Sequence, residues 1–82
     1  MDEQGLHDAL QAAIREETGQ DSMEIAPTMT ANDIPGWDSL AHVRILLNVE
    51  ERVGKPISIK ETYAAADIGQ LLAILKVQIA RG

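Results

Sequence analysis

The 82-residue sequence contains no cysteine and no phenylalanine, and Trp37 and Tyr63 are its only aromatic residues. The lack of cysteine excludes disulfide bonds, thiolate metal sites and a cysteine nucleophile, and it fits a reducing cytoplasmic setting. No apolar run approaches the roughly 18 residues that a membrane span requires. The acidic residues 1–4 lack the cationic opening of a secretory signal, so we expect a cytoplasmic protein without a membrane segment.

Basic residues are also scarce: the chain has seven of them and thirteen acidic residues, which gives a formal charge of −6. Nucleic acids and anionic lipid surfaces both require a cationic face, so neither is an expected partner. Hydrophobic residues make up 45% of the chain, a share that is ordinary for a globular domain. A chain of this length predicts a single domain over residues 1–82 with a small core.

The first half of the chain predicts one helix and one long loop. Apolar residues recur every three or four positions from residue 2 to residue 18, and Gly19 then provides a helix stop. Residues 20–37 show no sustained period and are rich in residues that favour turns. Ile25 and Met29 are expected to anchor this loop to the core. Loops of this length in so small a domain tend to be functional or disordered.

The second half predicts three further helices. One starts at Asp38 or Ser39 and ends at Gly54, because glycine accepts a left-handed cap and a following proline cannot continue a helix. Its expected apolar face comprises Leu40, Val43, Ile45, Leu46, Leu47, Val49 and Val53. Residues 57–59 are expected to form an extended connector that buries both isoleucines, and residues 61–66 a short third helix. Asp67 then caps a final amphipathic helix. The expected fold is therefore all-α, a small four-helix bundle with three main helices.

Ser39 has the most informative position in this pattern. It stands where the second helix begins, beside the Asp38 carboxylate and just after the flexible Pro35-Gly36 step. That position exposes the hydroxyl and directs the positive end of the helix dipole at any group bonded to it, which favours a phosphate ester. From position alone, a plain N-cap role for Asp38 or Ser39 is the more common interpretation. His7 and His42 lie in separate segments without a second ligand, so no metal site is expected, and His42 is expected to be a solvated side chain.

Residues 36–53 carry a resemblance that changes this balance. They contain Gly-Trp-Asp-Ser-Leu, then Val43, Leu46-Leu47 and Glu50-Glu51-Arg52-Val53, and this segment resembles the acyl carrier protein family. Members have Asp-Ser-Leu at the start of the second helix, and its serine accepts a 4′-phosphopantetheine arm from coenzyme A. The order of helices is similar over most of the chain. The resemblance implies a carrier rather than an enzyme, in which Ser39 bears the arm and the terminal thiol holds the cargo as a thioester.

The resemblance also implies roles for the neighbours of Ser39. Asp38 would lie beside the phosphate and help the modifying transferase position coenzyme A, and Leu40 would be a buried anchor with an exposed edge. Gly36 would let the backbone turn tightly. Trp37 would cover the junction of the loop with the second helix, or it would simply pack half-buried on Pro35.

The second helix departs from the usual charge pattern of the family. Fatty-acid-synthesis carriers usually display several carboxylates there, whereas this chain has Ala41 and Arg44 at places where acids are common. The departure favours a carrier with dedicated partners in polyketide, nonribosomal-peptide or related specialised biosynthesis. Alternatively, Arg44 and Arg52 only form local pairs with Asn48 or Glu51. The expected docking residues are His42, Arg44, Leu47, Glu50, Glu51, Thr62 and Tyr63, although Tyr63 also fits a core position with its hydroxyl in water.

Three functions therefore stay open. The first is an acyl carrier that is modified on Ser39, and the second is an aminoacyl or peptidyl carrier. Peptidyl carriers usually show Gly-Gly-His/Asp-Ser-Leu, from which residues 35–38 depart. The third is a non-catalytic helical interaction domain in which Ser39 is only a cap. For a carrier, the expected partners are a phosphopantetheinyl transferase, an acyl- or aminoacyl-loading enzyme and downstream synthase or transferase enzymes, and we expect a monomer.

Overall fold

The computed structural model describes residues 2–81, and over that range it contains helices and loops but no strand. Helix α1 spans Glu3–Thr18, α2 spans Ser39–Val53, α3 spans Ile59–Thr62 and α4 spans Ile68–Arg81. A short 3₁₀ helix, Ala31–Asp33, lies within the long loop between α1 and α2 and was not anticipated from the sequence. The expected all-α fold with three main helices and a short third one is confirmed.

Capping residues explain where the main helices begin and end. The Asp2 carboxylate accepts the Gly5 N–H at 2.7 Å before α1, and the Asp38 carboxylate accepts the Ala41 N–H at 2.8 Å before α2. Gly19 and Gly54 then end these helices in the left-handed conformation, with φ of +75° and +69°. Each terminal glycine donates its N–H to a carbonyl four residues earlier. The predicted bounds of α1 and α2 are confirmed because they depend on these local caps.

The core lies where α1 packs against α2 and α4. Its fully enclosed side chains are aliphatic apart from that of Thr62. The aliphatic ones come from all three main helices and from the loop: Leu10, Ile14, Ile25, Ile34, Ile45, Leu46, Val49, Ile68 and Leu75. The expected loop anchors are confirmed, since Ile25 is buried and Met29 packs against the core. Ile34 is a further anchor that the sequence analysis missed.

Helix α2 is rotated relative to the expected apolar face. Its buried residues are Ala41, Ile45, Leu46 and Val49. With about 3.6 residues per turn, Leu40 and Leu47 lie on the opposite side of the helix from this stripe. Leu40 is 59% exposed, so the expectation that it is a buried anchor was wrong.

The segment between α2 and α4 is held by side chains that reach its backbone. The Ile57 N–H donates to Glu50 Oε1 at 2.8 Å, and Ile57 is buried. The extended connector is shorter than predicted, because Ile59 already begins α3. The expected burial of both isoleucines holds for Ile57 only, since Ile59 is half-buried. The predicted range 61–66 for the short helix was also wrong. The Thr62 hydroxyl donates to the Ile59 carbonyl within α3, and residues 63–67 form the turn that leads to the α4 cap.

The long loop in turn positions the start of α4. The Asp67 carboxylate accepts the Gln70 N–H at 2.8 Å, which confirms the predicted cap. The Ile68 and Gly69 N–H groups donate to the carbonyls of Met29 and Pro27, each at 2.8 Å. No helix within residues 2–81 has the length and apolar character needed to cross a membrane.

Candidate functional site

Ser39 is the first residue of α2, and its side chain is exposed. Asp38, not Ser39, is the N-cap, because its carboxylate accepts the Ala41 N–H and its carbonyl accepts the His42 N–H at 2.9 Å. The backbone N–H groups of Ser39 and Leu40 precede this first intrahelical bond, so they lie at the electropositive end of the helix. Over residues 2–81, no side chain hydrogen-bonds to the Ser39 hydroxyl. The hydroxyl is therefore available for attachment.

Gly36 makes the turn that leads to this helix end. Its φ is +90°, a backbone conformation that side-chain-bearing residues rarely adopt. A Cβ atom there would lie 3.0 Å from the Thr18 carbonyl oxygen and 3.4 Å from the Thr18 Cβ. The end of α1 thus closely approaches the turn before Ser39. The predicted tight turn is confirmed, and the close contact adds a second reason for glycine.

Trp37 and His42 join the loop to α2. The Trp37 ring is half-buried against the core, and its indole N–H donates to His42 Nδ1 at 3.3 Å. This contact agrees with the expectation that Trp37 covers the junction of the loop with the second helix. The expectation that His42 is solvated was wrong, because its ring is half-buried and its Nε2 lies 2.8 Å from Thr62 Oγ1. Burial lowers the pKa of the His42 imidazole.

Thr62 and Tyr63 were both expected at a docking surface, but only Tyr63 is exposed. Thr62 is only 1% exposed, so its predicted contribution to a docking surface was wrong; its hydroxyl bonds inside the fold instead. Tyr63 is 59% exposed, which contradicts the alternative of a core position. Its ring stacks on that of His42 with the centroids 4.4 Å apart. The two adjacent residues therefore point one into the protein and one onto its surface.

One exposed strip runs along α2 from Ser39 and consists of Leu40, Arg44, Leu47 and Glu51. All four are exposed, and the 50% exposure of Leu47 fits the docking role expected for it, although Leu47 was also placed in the apolar face. Their spacing of four, three and four residues places them on one face of the helix. Within the described part of the chain, Arg44 forms no ion pair. We call these four residues the exposed α2 strip.

The other charged residues of α2 have structural partners. Arg52 donates to Asn48 Oδ1 at 2.6 Å and to Glu16 of α1 at 2.8 Å, so the local-pair interpretation holds for Arg52 but not for Arg44. Glu50 is half-buried and accepts the Ile57 N–H. Glu50 was expected only at a docking surface, and sequence reasoning missed its role in holding the connector.

Gln78 is a second structural residue that sequence reasoning missed. It is buried and lies in the apolar register of α4, three positions after Leu75, which itself lies four positions after Leu71. A polar residue at such a position needs hydrogen-bond partners, and that requirement is the signal that could have revealed it. Its amide oxygen accepts the Ser58 N–H at 2.8 Å, and its amide nitrogen donates to the Ser58 carbonyl at 3.1 Å.

The described residues contain no cluster of three side chains able to hold a metal ion. Ser39 thus presents a hydroxyl at a helix N-terminus beside the capping carboxylate of Asp38, and Trp37 and His42 join the preceding loop to the same helix. This arrangement can present a covalently attached group to solvent and to another protein. It brings together Gly36, Trp37, Asp38, Ser39 and Leu40, as expected from their adjacency, and it adds His42 from the next turn.

Comparison with known proteins gives one informative match. No protein-family model matches the chain, and no curated protein matches it. Among solved structures, it is similar to the solution NMR structure of a holo acyl carrier protein from Geobacter metallireducens, with 28% sequence identity. The superposition has a TM-score of 0.76 and covers 92% of this chain and 86% of that one. The similarity thus extends over nearly the whole helical arrangement.

Proposed function

We propose that this chain, a member of the acyl carrier protein family, carries an acyl group on a 4′-phosphopantetheine arm attached to the Ser39 hydroxyl. The observation that carries the proposal is the position of Ser39, which is exposed at the first residue of α2 while Asp38 does the capping. The protein would act as a carrier that other enzymes modify and load. A cytoplasmic location and a monomeric state remain predictions from the sequence.

The residues around Ser39 fit a phosphate-linked group. The N–H groups of Ser39 and Leu40 lie before the first intrahelical bond, and such groups at a helix N-terminus favour an anion. The capping bond to Ala41 engages one oxygen of the Asp38 carboxylate and holds this acidic side chain beside the attachment point. The turn at Gly36 leads the chain into the start of α2, and Gly36 places no side chain there.

When bound, the arm supplies a terminal thiol that holds the acyl group as a thioester. The protein itself needs to hold Ser39 at a fixed, accessible position, which is the task of the Asp38 cap, the Gly36 turn and the Trp37–His42 contact. No base beside Ser39 is required for this role, since the transferase that attaches the arm would activate the hydroxyl. The free Ser39 hydroxyl is consistent with that division of labour.

The exposed α2 strip is the surface that we assign to partner enzymes. It begins next to Ser39, so a partner that covers it can reach the arm. Two exposed leucines offer apolar contact, and Arg44 between them offers an unpaired positive charge within the described range. A partner with an acidic side chain between apolar ones would match this strip, whereas a partner with a strongly basic patch would be repelled by Arg44. This charge supports dedicated partners in polyketide, nonribosomal-peptide or related specialised biosynthesis.

Intact-mass spectrometry tests the attachment. The purified protein is incubated with coenzyme A and a broad-specificity phosphopantetheinyl transferase, and the mass is expected to increase by one phosphopantetheine group. Ser39→Ala should abolish the increase, whereas Ser22→Ala, at an exposed loop serine, should retain it. An unmodified wild-type protein, or an arm that persists on Ser39→Ala, would overturn the proposal and leave the helical interaction domain.

Loading of the modified protein tests the kind of cargo. We expect transfer from acyl donors by an acyl-loading enzyme. Selective loading with an amino acid by an adenylating enzyme would instead identify an aminoacyl or peptidyl carrier.

A further inference from the structure

The hydrogen bonds around His42 define its protonation state. The Trp37 indole N–H is a donor only, so His42 Nδ1 must accept with a lone pair. A neutral ring then carries its proton on Nε2, which donates to Thr62 Oγ1 at 2.8 Å. The Thr62 hydroxyl in turn donates a hydrogen bond to the Ile59 carbonyl at 2.5 Å. Every donor in this chain has one acceptor, and the arrangement requires a neutral imidazole with the hydrogen on Nε2.

This chain of hydrogen bonds links three separate segments. Trp37 belongs to the loop before Ser39, His42 to the second turn of α2, and Thr62 to α3. Helix α3 packs chiefly against α4, so the His42–Thr62 bond is a specific tie between α3 and α2. The His42 ring also lies against the rings of Trp37 and Tyr63, with centroid distances of 5.8 Å and 4.4 Å.

A cavity of about 210 Å³ lies beside these residues. Its lining includes Trp37, His42, Thr62 and Tyr63, together with Ile68 and Leu71 of α4. The residues that connect the loop and α3 to α2 therefore also line this cavity.

We propose that Trp37, His42 and Thr62 form an imidazole latch: the His42 Nε2–H holds helix α3 against α2 in both protonation states, and His42 Nδ1 holds the loop before Ser39 through Trp37 until the imidazole takes up a proton. The added proton binds Nδ1, where it removes the lone pair that the Trp37 indole N–H needs. Two donors then face each other, so the Trp37 ring separates from His42 and the turn that leads to Ser39 loses its tie to α2. The latch closes again when the proton returns to solvent.

The surroundings of His42 support a latch that is closed near neutral pH. Burial lowers the pKa of its imidazole, which favours the neutral ring. Three titratable groups are nearest in the packed elements: Tyr63 stacks on the ring, Asp67 lines the same cavity, and Asp38 precedes His42 by one turn of helix. The Asp38 carboxylate caps Ala41 and that of Asp67 caps Gln70. Within residues 2–81, no carboxylate forms an ion pair with His42 that would hold it charged.

Nuclear magnetic resonance of the wild-type chain, labelled with ¹⁵N at histidine and tryptophan, tests the latch without any substitution. Long-range ¹H–¹⁵N spectra recorded from about pH 8 down to about pH 5 report which ring nitrogen carries the proton. We expect the Nε2–H form of His42 at the higher pH, and a Trp37 indole N–H resonance that shifts with the same midpoint as His42. An Nδ1–H form, or an indole resonance that does not follow His42, would overturn the latch.

Fluorescence provides a second test, because Trp37 is the only tryptophan. Its emission is expected to shift to longer wavelength as the pH falls, with the midpoint measured by NMR. His42→Gln should remove this transition, whereas His7→Gln, at the other histidine, should retain it. A transition that survives His42→Gln or disappears in His7→Gln would contradict the proposal. Both experiments use the protein without the phosphopantetheine arm. The latch can therefore be disproved while the carrier function holds, and the carrier function can be disproved while the latch holds.

Discussion

The Gln78 side chain forms two hydrogen bonds with the backbone of one residue, Ser58, as if it were the edge of a neighbouring strand. Its amide oxygen accepts the Ser58 N–H at 2.8 Å and its amide nitrogen donates to the Ser58 carbonyl at 3.1 Å. Ser58 precedes α3 and Gln78 lies in the last turns of α4, so this pair fixes the connector to the final helix. The pair stabilises this arrangement, because a buried amide without its hydrogen-bond partner would lower the free energy of unfolding.

Replacing Gln78 tests how much this pair contributes. Gln78→Met keeps the side-chain volume but removes both hydrogen bonds, and we expect it to lower the free energy of unfolding by about 1–3 kcal/mol. Val77→Ala is the matched control, because Val77 is the neighbouring residue and is 57% exposed; its cost should stay below about 0.5 kcal/mol. Urea denaturation followed by circular dichroism measures both. Equal effects of the two substitutions would mean that the pair contributes nothing specific.

Helix bounds depend on neighbouring residues, whereas the rotation of a helix depends on what packs against it. The bounds of α1 and α2 were predictable because Asp2, Gly19, Asp38 and Gly54 act within their own turns. The rotation of α2 was not predictable in the same way. Two apolar stripes are present on this helix, one through Leu40 and Leu47 and one through Ile45 and Val49, and only packing against α1 decides which of them is buried.

The candidate site shows the same division. The exposed hydroxyl of Ser39 and the turn at Gly36 follow from neighbouring residues, so they were predictable. The burial of Thr62 and the partners of His42 were missed because residues 42 and 62 are twenty positions apart, and no periodic pattern reports a contact across that distance. The docking role of Thr62 failed for this reason, whereas its neighbour Tyr63 does lie on the surface.

The turn at Gly36 can be tested with a pair of glycine substitutions. Gly36→Ala combines a φ of +90° with a Cβ that would lie 3.0 Å from the Thr18 carbonyl oxygen. Gly54→Ala imposes a φ of +69° but meets nothing within 4 Å. We expect the second substitution to cost about 1 kcal/mol through backbone strain alone and the first to cost about 2–3 kcal/mol. Denaturant titration gives the difference, and a Gly36→Ala protein as stable as Gly54→Ala would show that Thr18 yields without cost.

The lowered pKa of His42 predicts how stability depends on pH. The imidazole has a lower pKa in the folded chain than the usual 6.5, so the unfolded chain binds the proton more readily. The contribution of His42 to stability is therefore complete above pH 6.5 and declines as the pH falls from 6.5 through the pKa of the folded state. Urea titrations at several pH values should show a steeper decline for the wild type than for His42→Gln. Parallel curves would contradict the assignment of this decline to His42.

Arg44 and Leu47 provide the test of the exposed α2 strip, because both project from the fold and can be changed without disturbing it. Arg44→Glu and Leu47→Ala should alter the free energy of unfolding by less than about 0.5 kcal/mol, since neither side chain is buried. Under the proposed carrier function, Arg44→Glu should nevertheless reduce kcat/KM of the loading enzyme, by about tenfold or more at low salt and less at high salt. Leu47→Ala should reduce it at every salt concentration, because apolar contact is not screened. Val77→Ala, on α4, should leave loading unchanged. If reversing the charge at Arg44 instead accelerated loading, the partner would be basic, and the strip would bind as the acidic helices of fatty-acid-synthesis carriers do.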